Sequence, residues 1–257
     1  MTFISVTEFE KISSVCYNSA KDIPKIKDGD IVHLKLDKLN ELLKYNTKNC
    51  ILISTRDIPV NASTLSKITP KIIHWFGNNI VVTDPKLTCI PLGIPPINAK
   101  QGNGRQDILI KLMQDKPAKK YLVYMNHLLE TNLSVRNRVW KEFLNVNWIV
   151  HKGGNKRIDY TEYIEDMSKS KFVICPPGNG LDTHRVWESL YLNAIPIIEK
   201  RFYLACYDNL PLLTVNKYSD ILKLDLNKLY ELLIPKLKDN KYLDFKYWKD
   251  LIWIKRT

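Results

Sequence analysis

Residues 171–198 read KFVICPPGNGLDTHRVWESLYLNAIPII. The apolar run from Phe172 to Cys175 stops at Pro176 and Pro177, the pattern of a short buried strand closed by residues that lack a ladder donor. Gly178, Asn179 and Gly180 then form a loop whose backbone can approach a ligand closely, and from His184 onward the apolar residues return at helical spacing. A strand that passes through a glycine loop into a helix sets unsatisfied helix N–H groups beside the loop, which favours an anion there. Arg185 adds a fixed positive charge with bidentate reach. Glu188, three residues later on the same face, is placed to accept hydrogen bonds from ribose hydroxyls. Asp182, Thr183 and His184 lie between loop and helix, where they would cap the helix or touch a sugar. A Gly-x-Gly after a strand also fits an ordinary tight turn. The run is neither a Walker loop nor a GxGxxG fingerprint.

Outward from this segment, YLVYMN, NWIVHKG and AIPIIE read as further strands, with helical patterns in TEYIEDMSKS and HRVWESLYLN between them. The first hundred residues repeat the alternation through DIVHLKL, CILIST, KIIHWF and NIVVTD. Both halves therefore read as βα units around a parallel sheet, and the expected fold is α/β with two Rossmann-like domains facing a cleft. The polar, turn-rich stretch from Ile97 to Lys120 reads as the connection, dividing the chain into an acceptor-side domain, 1–105, and a nucleotide-sugar-binding domain, 118–257. Residues 227–257, rich in Leu, Lys and aromatics, read as helices that close the structure.

The chain has 257 residues, 45% of them hydrophobic, enough to bury real cores. Lys and Arg number 39 against 27 Asp and Glu, so the formal charge of +12 selects anionic partners: nucleotides, anionic glycans, nucleic acid or lipid headgroups. The lysines are scattered and no RNP or zinc-finger motif occurs, which leaves a nucleic-acid or polyanion-binding protein as a rival without a recognition element. The five cysteines are widely spaced, without CxxC or Cys/His pairing, and read as reduced and mostly buried rather than as a disulfide framework or zinc site. Asp28-Gly29-Asp30 has the letters of an Asp-x-Asp metal site but precedes its strand, so it reads as a turn.

Ser170, Lys171, Phe172, Cys175, Pro176, Gly178, Arg185, Glu188 and Ile195-Pro196-Ile197 together resemble the C-terminal signature of exostosin-like glycosyltransferases. ILISTRDIP, KIIHWFGNNI and CIPLGIPP are similar to N-terminal-half segments of short bacterial and viral members. Those members often carry Asn-Ser-Asp where this chain has Thr55-Arg56-Asp57, so Asp57 matches and Arg56 does not. The resemblance implies a GT-B fold, a donor held by the C-terminal half, no obligatory metal and inversion at the anomeric carbon. It also implies no cofactor, the nucleotide-sugar being a co-substrate. The expected activity is transfer of a pentose or hexose from a uridine diphosphate (UDP) sugar, such as UDP-xylose or a UDP-hexose, to a glycan hydroxyl. A fucosyltransferase-like enzyme using a guanosine diphosphate (GDP) sugar is the alternative enzyme reading. The N-terminus lacks the basic start and apolar core of a signal peptide, and no stretch nears the roughly 18 apolar residues of a membrane span, so the expected location is the cytoplasm, for a bacterial or viral enzyme or one trimmed of a luminal anchor.

Transfer needs stabilisation of the leaving diphosphate, a base for the acceptor hydroxyl and an ordered geometry. Arg185 and the Gly178 to Gly180 backbone are the candidates for the first. Arg136, in LETNLSVR, matches an arginine that follows a Thr-Asn pair in similar proteins and would reach the phosphates from the neighbouring loop. Asp57, after the strand CILIST, is the candidate base. His74, His127 and His184 lie near strand ends, and Asn79 and Asn126 are further cleft donors. Trp75 and Trp187 read as core aromatics, with stacking on an acceptor sugar the other role open to Trp75. A slot near His151 to Tyr163 would hold uracil.

Overall fold

CILIST is buried at every position, as a strand covered on both faces of a parallel sheet must be. It is the central strand of the first of two α/β units in the computed structural model, which describes residues 2–97 and 105–256. The first unit comprises Met1–Leu92, Leu204–Asp208 and Asp244–Thr257, the second Gly93–Tyr203 and Asn209–Leu243.

In the first unit the strands are β1 (Val15–Tyr17), β2 (Asp30–Lys35), β3 (Cys50–Thr55), β4 (Ile72–Gly77) and β5 (Leu87–Cys89), all parallel and paired in chain order. The helices are α1 (Val6–Lys11), α2 (Leu39–Leu42) and α3 (Ala62–Leu65). NIVVTD, expected as a strand, is not one: Asn79 takes a left-handed φ of 56°, which breaks the extended path, and the fifth strand forms at Leu87 instead. Asp28-Gly29-Asp30 is a turn, with Gly29 at φ 77° and both aspartates accepting from nearby backbone N–H groups.

The second unit runs α4 (Gln106–Asp115), β6 (Tyr121–Leu128), α5 (Leu133–Phe143), β7 (Ile149–Gly154), α6 (Tyr160–Ser168), β8 (Ser170–Ile174), α7 (His184–Tyr191), β9 (Ile195–Glu199), β10 (Leu213–Val215) and α8 (Leu226–Leu233). Its sheet is also parallel, but the order is β10-β9-β8-β6-β7. The stretch expected as a connection contains α4, whose Leu109 is fully buried; residues 98–104 of that stretch lie outside the described residues.

The expected C-terminal helices are α8 and α9 (Phe245–Ile254), and they belong to different units. Phe245, Trp248 and Ile252 form a buried stripe on α9. Phe245 meets Phe9 edge-on at 5.1 Å between ring centroids and donates its N–H to Thr2 O at 2.9 Å, which ties the chain end to the first unit. All five cysteines are free and only Cys16 is exposed. Among the described residues, no helix is long and apolar enough to cross a membrane.

Candidate functional site

In the second sheet β6 pairs with β7 on one side and β8 on the other. The connections after β6 and after β8 therefore lead away in opposite directions, which makes the carboxyl ends of these two strands the topological switch point of the sheet. In open α/β sheets this topological switch point is where ligands bind. The first sheet, ordered as the chain runs, has no such point.

The glycine loop follows β8 directly, and α5 grips it from the β6 side. Asn132 caps α5, accepting from Val135 N at 3.4 Å, and its Nδ2 donates to Gly178 O at 3.1 Å. One turn later Arg136 donates Nε to Pro177 O at 2.9 Å, Nη2 to Pro176 O at 3.4 Å and Nη1 to Leu128 O at 3.0 Å and to Thr131 Oγ1. Arg136 thus ties the end of β6 to the loop after β8, and four of its five N–H groups are spent in doing so. A Cβ on Gly178 would lie 2.9 Å from Arg136 Nη2, so glycine is what lets loop and guanidinium approach this closely. Arg136 is 6% exposed and, among the described residues, has no carboxylate partner. Burial, followed by repulsion from Arg185, holds its pKa down to about 9.

His127, at the end of β6, sits 3.1 Å from Arg136 O through Nε2. A carbonyl only accepts, so Nε2 carries the proton of the neutral ring and Nδ1 is left as a buried acceptor without a partner. Burial, then the charges of Arg185 and Arg136, hold the ring's pKa down to about 3. Asn126, also buried at this strand end, donates to Tyr124 Oη at 2.9 Å.

Arg185 stands in the first turn of α7, after Thr183, whose extended backbone starts the helix. Its guanidinium lies over the Tyr163 ring, 5.6 Å from the centroid. Arg185 Nε and Thr183 Oγ1 are buried without partners, and among the described residues the Arg185 side chain makes no hydrogen bond or ion pair. His184 Nδ1 donates to Gly93 O at 2.6 Å, which leaves Nε2 as the acceptor of the neutral ring. Asn179 is exposed at the loop tip, and Gly178 N donates to Gly180 O at 2.9 Å. Asp182 is buried and accepts from Trp187 Nε1 with both oxygens, at 2.9 and 3.1 Å. Glu188 is 2% exposed, its Oε1 accepting from Tyr160 at 3.0 Å and its Oε2 from Tyr163 at 2.7 Å.

The structure thus gathers Gly178, Asn179, Gly180, Thr183, His184 and Arg185 around one loop and helix start, with Arg136 beneath the loop rather than beyond it. Thr131 and Asn132 were not singled out from the sequence, although an Asn just ahead of a helical pattern is an N-cap signal. Tyr160 and Tyr163 carry no such signal, because they reach Glu188 from 28 and 25 residues away. Tyr163, at the edge of the slot expected for uracil, lies beneath the Arg185 guanidinium.

In the first unit, Asp57 lies exposed in the bend after β3, and among the described residues its side chain has no hydrogen bond or ion pair. The backbone just before it is fastened by two asparagines: Asn78 Oδ1 accepts from Arg56 N at 3.0 Å and Asn79 Nδ2 donates to Arg56 O at 2.8 Å. Arg56 itself pairs with Asp37 at 3.0 Å. Asn79 is fully buried and orients this loop. Trp75 is a core residue, fully buried and donating to Ser54 Oγ at 2.8 Å, so its ring has no open face on which a sugar could stack. His74 is likewise buried, 2.8 Å from Thr88 Oγ1.

No family model and no curated protein matches the chain. Among solved structures, an α,α-trehalose-6-phosphate synthase from Burkholderia multivorans superposes with a TM-score of 0.53 at 11% identity, covering 92% of this chain and 73% of its own. A UDP-forming α,α-trehalose-phosphate synthase from Burkholderia xenovorans gives 0.49 at 12% identity, with 92% and 76% covered. TarM gives 0.44 at 17% identity, with 90% and 55% covered. The chain therefore has the fold of GT-B glycosyltransferases, an α/β architecture with two parallel five-stranded sheets.

Proposed function

We propose that the chain is a glycosyltransferase that binds a nucleoside-diphosphate sugar at the carboxyl end of the second sheet and moves the sugar to a glycan hydroxyl. One observation carries this reading: two guanidiniums, Arg136 and Arg185, flank the glycine loop at the switch point, and among the described residues neither has a carboxylate ion pair and the buried Nε of Arg185 has no partner. A buried charge left unpaired is costly, so the site is built for an anion that arrives with the substrate. The diphosphate of a sugar donor supplies it.

In this reading Arg185 neutralises charge on the departing diphosphate, a role a metal would otherwise fill, and Arg136 keeps the loop in place. His184, with Nδ1 committed to Gly93 O, has Nε2 left to accept from a hydroxyl of the donor sugar. Asp57 takes the proton of the acceptor hydroxyl; its exposure, a side chain without a partner among the described residues and its place after a parallel strand support that role. Direct attack by that hydroxyl inverts the anomeric carbon. The carrier is UDP and the sugar a pentose or hexose, as the resemblance to exostosin-like enzymes implies.

A thermal-shift series with UDP, GDP and uridine monophosphate in EDTA tests the reading. At about 100 times its Kd a ligand stabilises by about 2.7 kcal/mol, which at roughly 2–4 °C per kcal/mol raises Tm by about 5–11 °C. UDP is expected to do so. A rise with GDP alone would move the donor to the guanosine series, and no rise with any diphosphate would overturn the proposal.

A further inference from the structure

An asparagine or aspartate followed by glycine is open to attack by its own backbone, because the next nitrogen can reach the side-chain carbon and glycine has no Cβ to hold it back. Asp28-Gly29 and Asn179-Gly180 are such pairs among the described residues; Asn103-Gly104 lies outside them. At Asp28-Gly29 the reacting groups are held: Gly29 N donates to Asn49 O at 2.9 Å and Asp28 Oδ1 accepts from Asn49 N at 3.0 Å. Asn18-Ser19, also with a small second residue, is held too. Ser19 N donates to Asp22 Oδ2 at 3.2 Å and Asn18 Nδ2 to Cys16 O at 3.1 Å.

Asn179-Gly180 is tied at neither group. Among the described residues the Asn179 side chain, exposed at the loop tip, and the Gly180 N–H have no hydrogen-bond partner, and the bond within the loop runs from Gly178 N to Gly180 O at 2.9 Å. The reaction open to this pair needs only water. Gly180 N gives up its proton and bonds to Asn179 Cγ, the side-chain nitrogen leaves as ammonia, and water opens the cyclic imide. Opening at Cγ gives aspartate, and opening at the main-chain carbonyl gives isoaspartate, whose backbone runs through the side chain. Either product puts a carboxylate where a neutral amide stood.

That carboxylate falls on the loop that Arg136 holds by the Pro177 carbonyl and that leads into Arg185. It supplies from within the chain the negative charge that the site otherwise takes from its ligand, and it repels a diphosphate. We propose that Asn179 is a site of spontaneous deamidation and, resting for its consequence on the nucleotide-sugar reading above, that the acidic product closes the donor site as the chain ages.

Peptide mapping by mass spectrometry of the full chain, fresh and after days in mildly alkaline buffer at 37 °C, tests the modification. Asn179 is expected to convert to aspartate and isoaspartate well ahead of Asn18; an Asn179 that stays an amide, or converts no faster than Asn18, overturns the proposal. Calorimetric titration with UDP tests the consequence. The aged wild type and fresh Asn179→Asp are expected to bind roughly 10-fold or more weakly than the fresh wild type. Asn179→Gln, which keeps an amide but sets it beyond easy reach of Gly180 N, is expected to bind equally before and after ageing. Undiminished affinity in Asn179→Asp, or an equal loss on ageing in Asn179→Gln, overturns the closure. No binding to the fresh wild type defeats the donor-site reading instead, and the mapping then decides the modification alone.

Discussion

Replacing Arg136 by lysine keeps the charge and removes the fork. In the structure the guanidinium serves the carbonyls of Leu128, Pro176 and Pro177 together with Thr131 Oγ1. A lysine ammonium is a single point and cannot reach the end of β6 and both proline carbonyls at once. The carbonyls of Pro176 and Pro177 belong to buried residues, and each buried acceptor left unpaired costs about 1–3 kcal/mol. Arg136→Lys is therefore expected to destabilise the chain by about 2–4 kcal/mol. At roughly 2–4 °C per kcal/mol for a chain of this size, Tm falls by about 5–15 °C. Circular dichroism melts, paired with urea unfolding at 25 °C, measure it. A fall under about 2 °C together with a collapse of diphosphate affinity would refute the clamp and return Arg136 to direct phosphate contact.

Gly178→Ala places a Cβ 2.9 Å from Arg136 Nη2, a side chain pinned at several points and slow to yield; a loss of about 1–2 kcal/mol in urea unfolding is expected, and an unchanged midpoint would show that the loop gives way freely. Stability should also fall with acid. His127 and His33 are buried and neutral, with pKa values held down by burial to about 3 and about 4, against about 6.5 when unfolded. The unfolded chain binds more protons between those limits, so the contribution is complete above about pH 6.5 and is lost as pH falls toward 4. By pH 4.5 the loss is up to about 2.7 kcal/mol for each ring, from two pH units at about 1.36 kcal/mol each. Urea titrations at pH 7 and pH 4.5 measure it, and equal stabilities would contradict it. Asp57→Asn is expected to lower transfer by roughly 10²–10⁴-fold while UDP affinity stays within threefold; undiminished transfer would remove Asp57 as the base.

The segment around the glycine loop was legible because its signals are local. The change from an apolar run to Pro-Pro, Gly-x-Gly and then a 3.6-residue period marks β8, its loop and α7 without reference to the rest of the chain. The switch point that gives the loop its place was not legible, since it depends on Val123 of β6 pairing with Phe172 of β8 while Val123 also pairs with Ile149 of β7. Arg136 could be seen as a charge near a strand end, but its partners, 40 and 41 residues away, could not. NIVVTD has strand composition and fails as a strand because Asn79 turns the backbone left-handed to hold the Arg56 carbonyl. The return of Asp244–Thr257 to the first unit follows from Phe245 meeting Phe9, a pairing of the two chain ends that periodicity does not show.

Everything proposed about the donor rests on Arg185 meeting a diphosphate. Hydrogen bonds to charged groups are each worth about 1.5–3 kcal/mol, so with about 1.4 kcal/mol per tenfold, removing the guanidinium should weaken binding by roughly 10- to 100-fold. The decisive measurement is calorimetric titration of UDP into the wild type and Arg185→Ala in EDTA, with the fold of the variant checked by circular dichroism. The expected result is wild-type binding that survives EDTA and weakens by that factor in the folded variant; equal affinities in the two proteins, or no binding to the wild type, would contradict it.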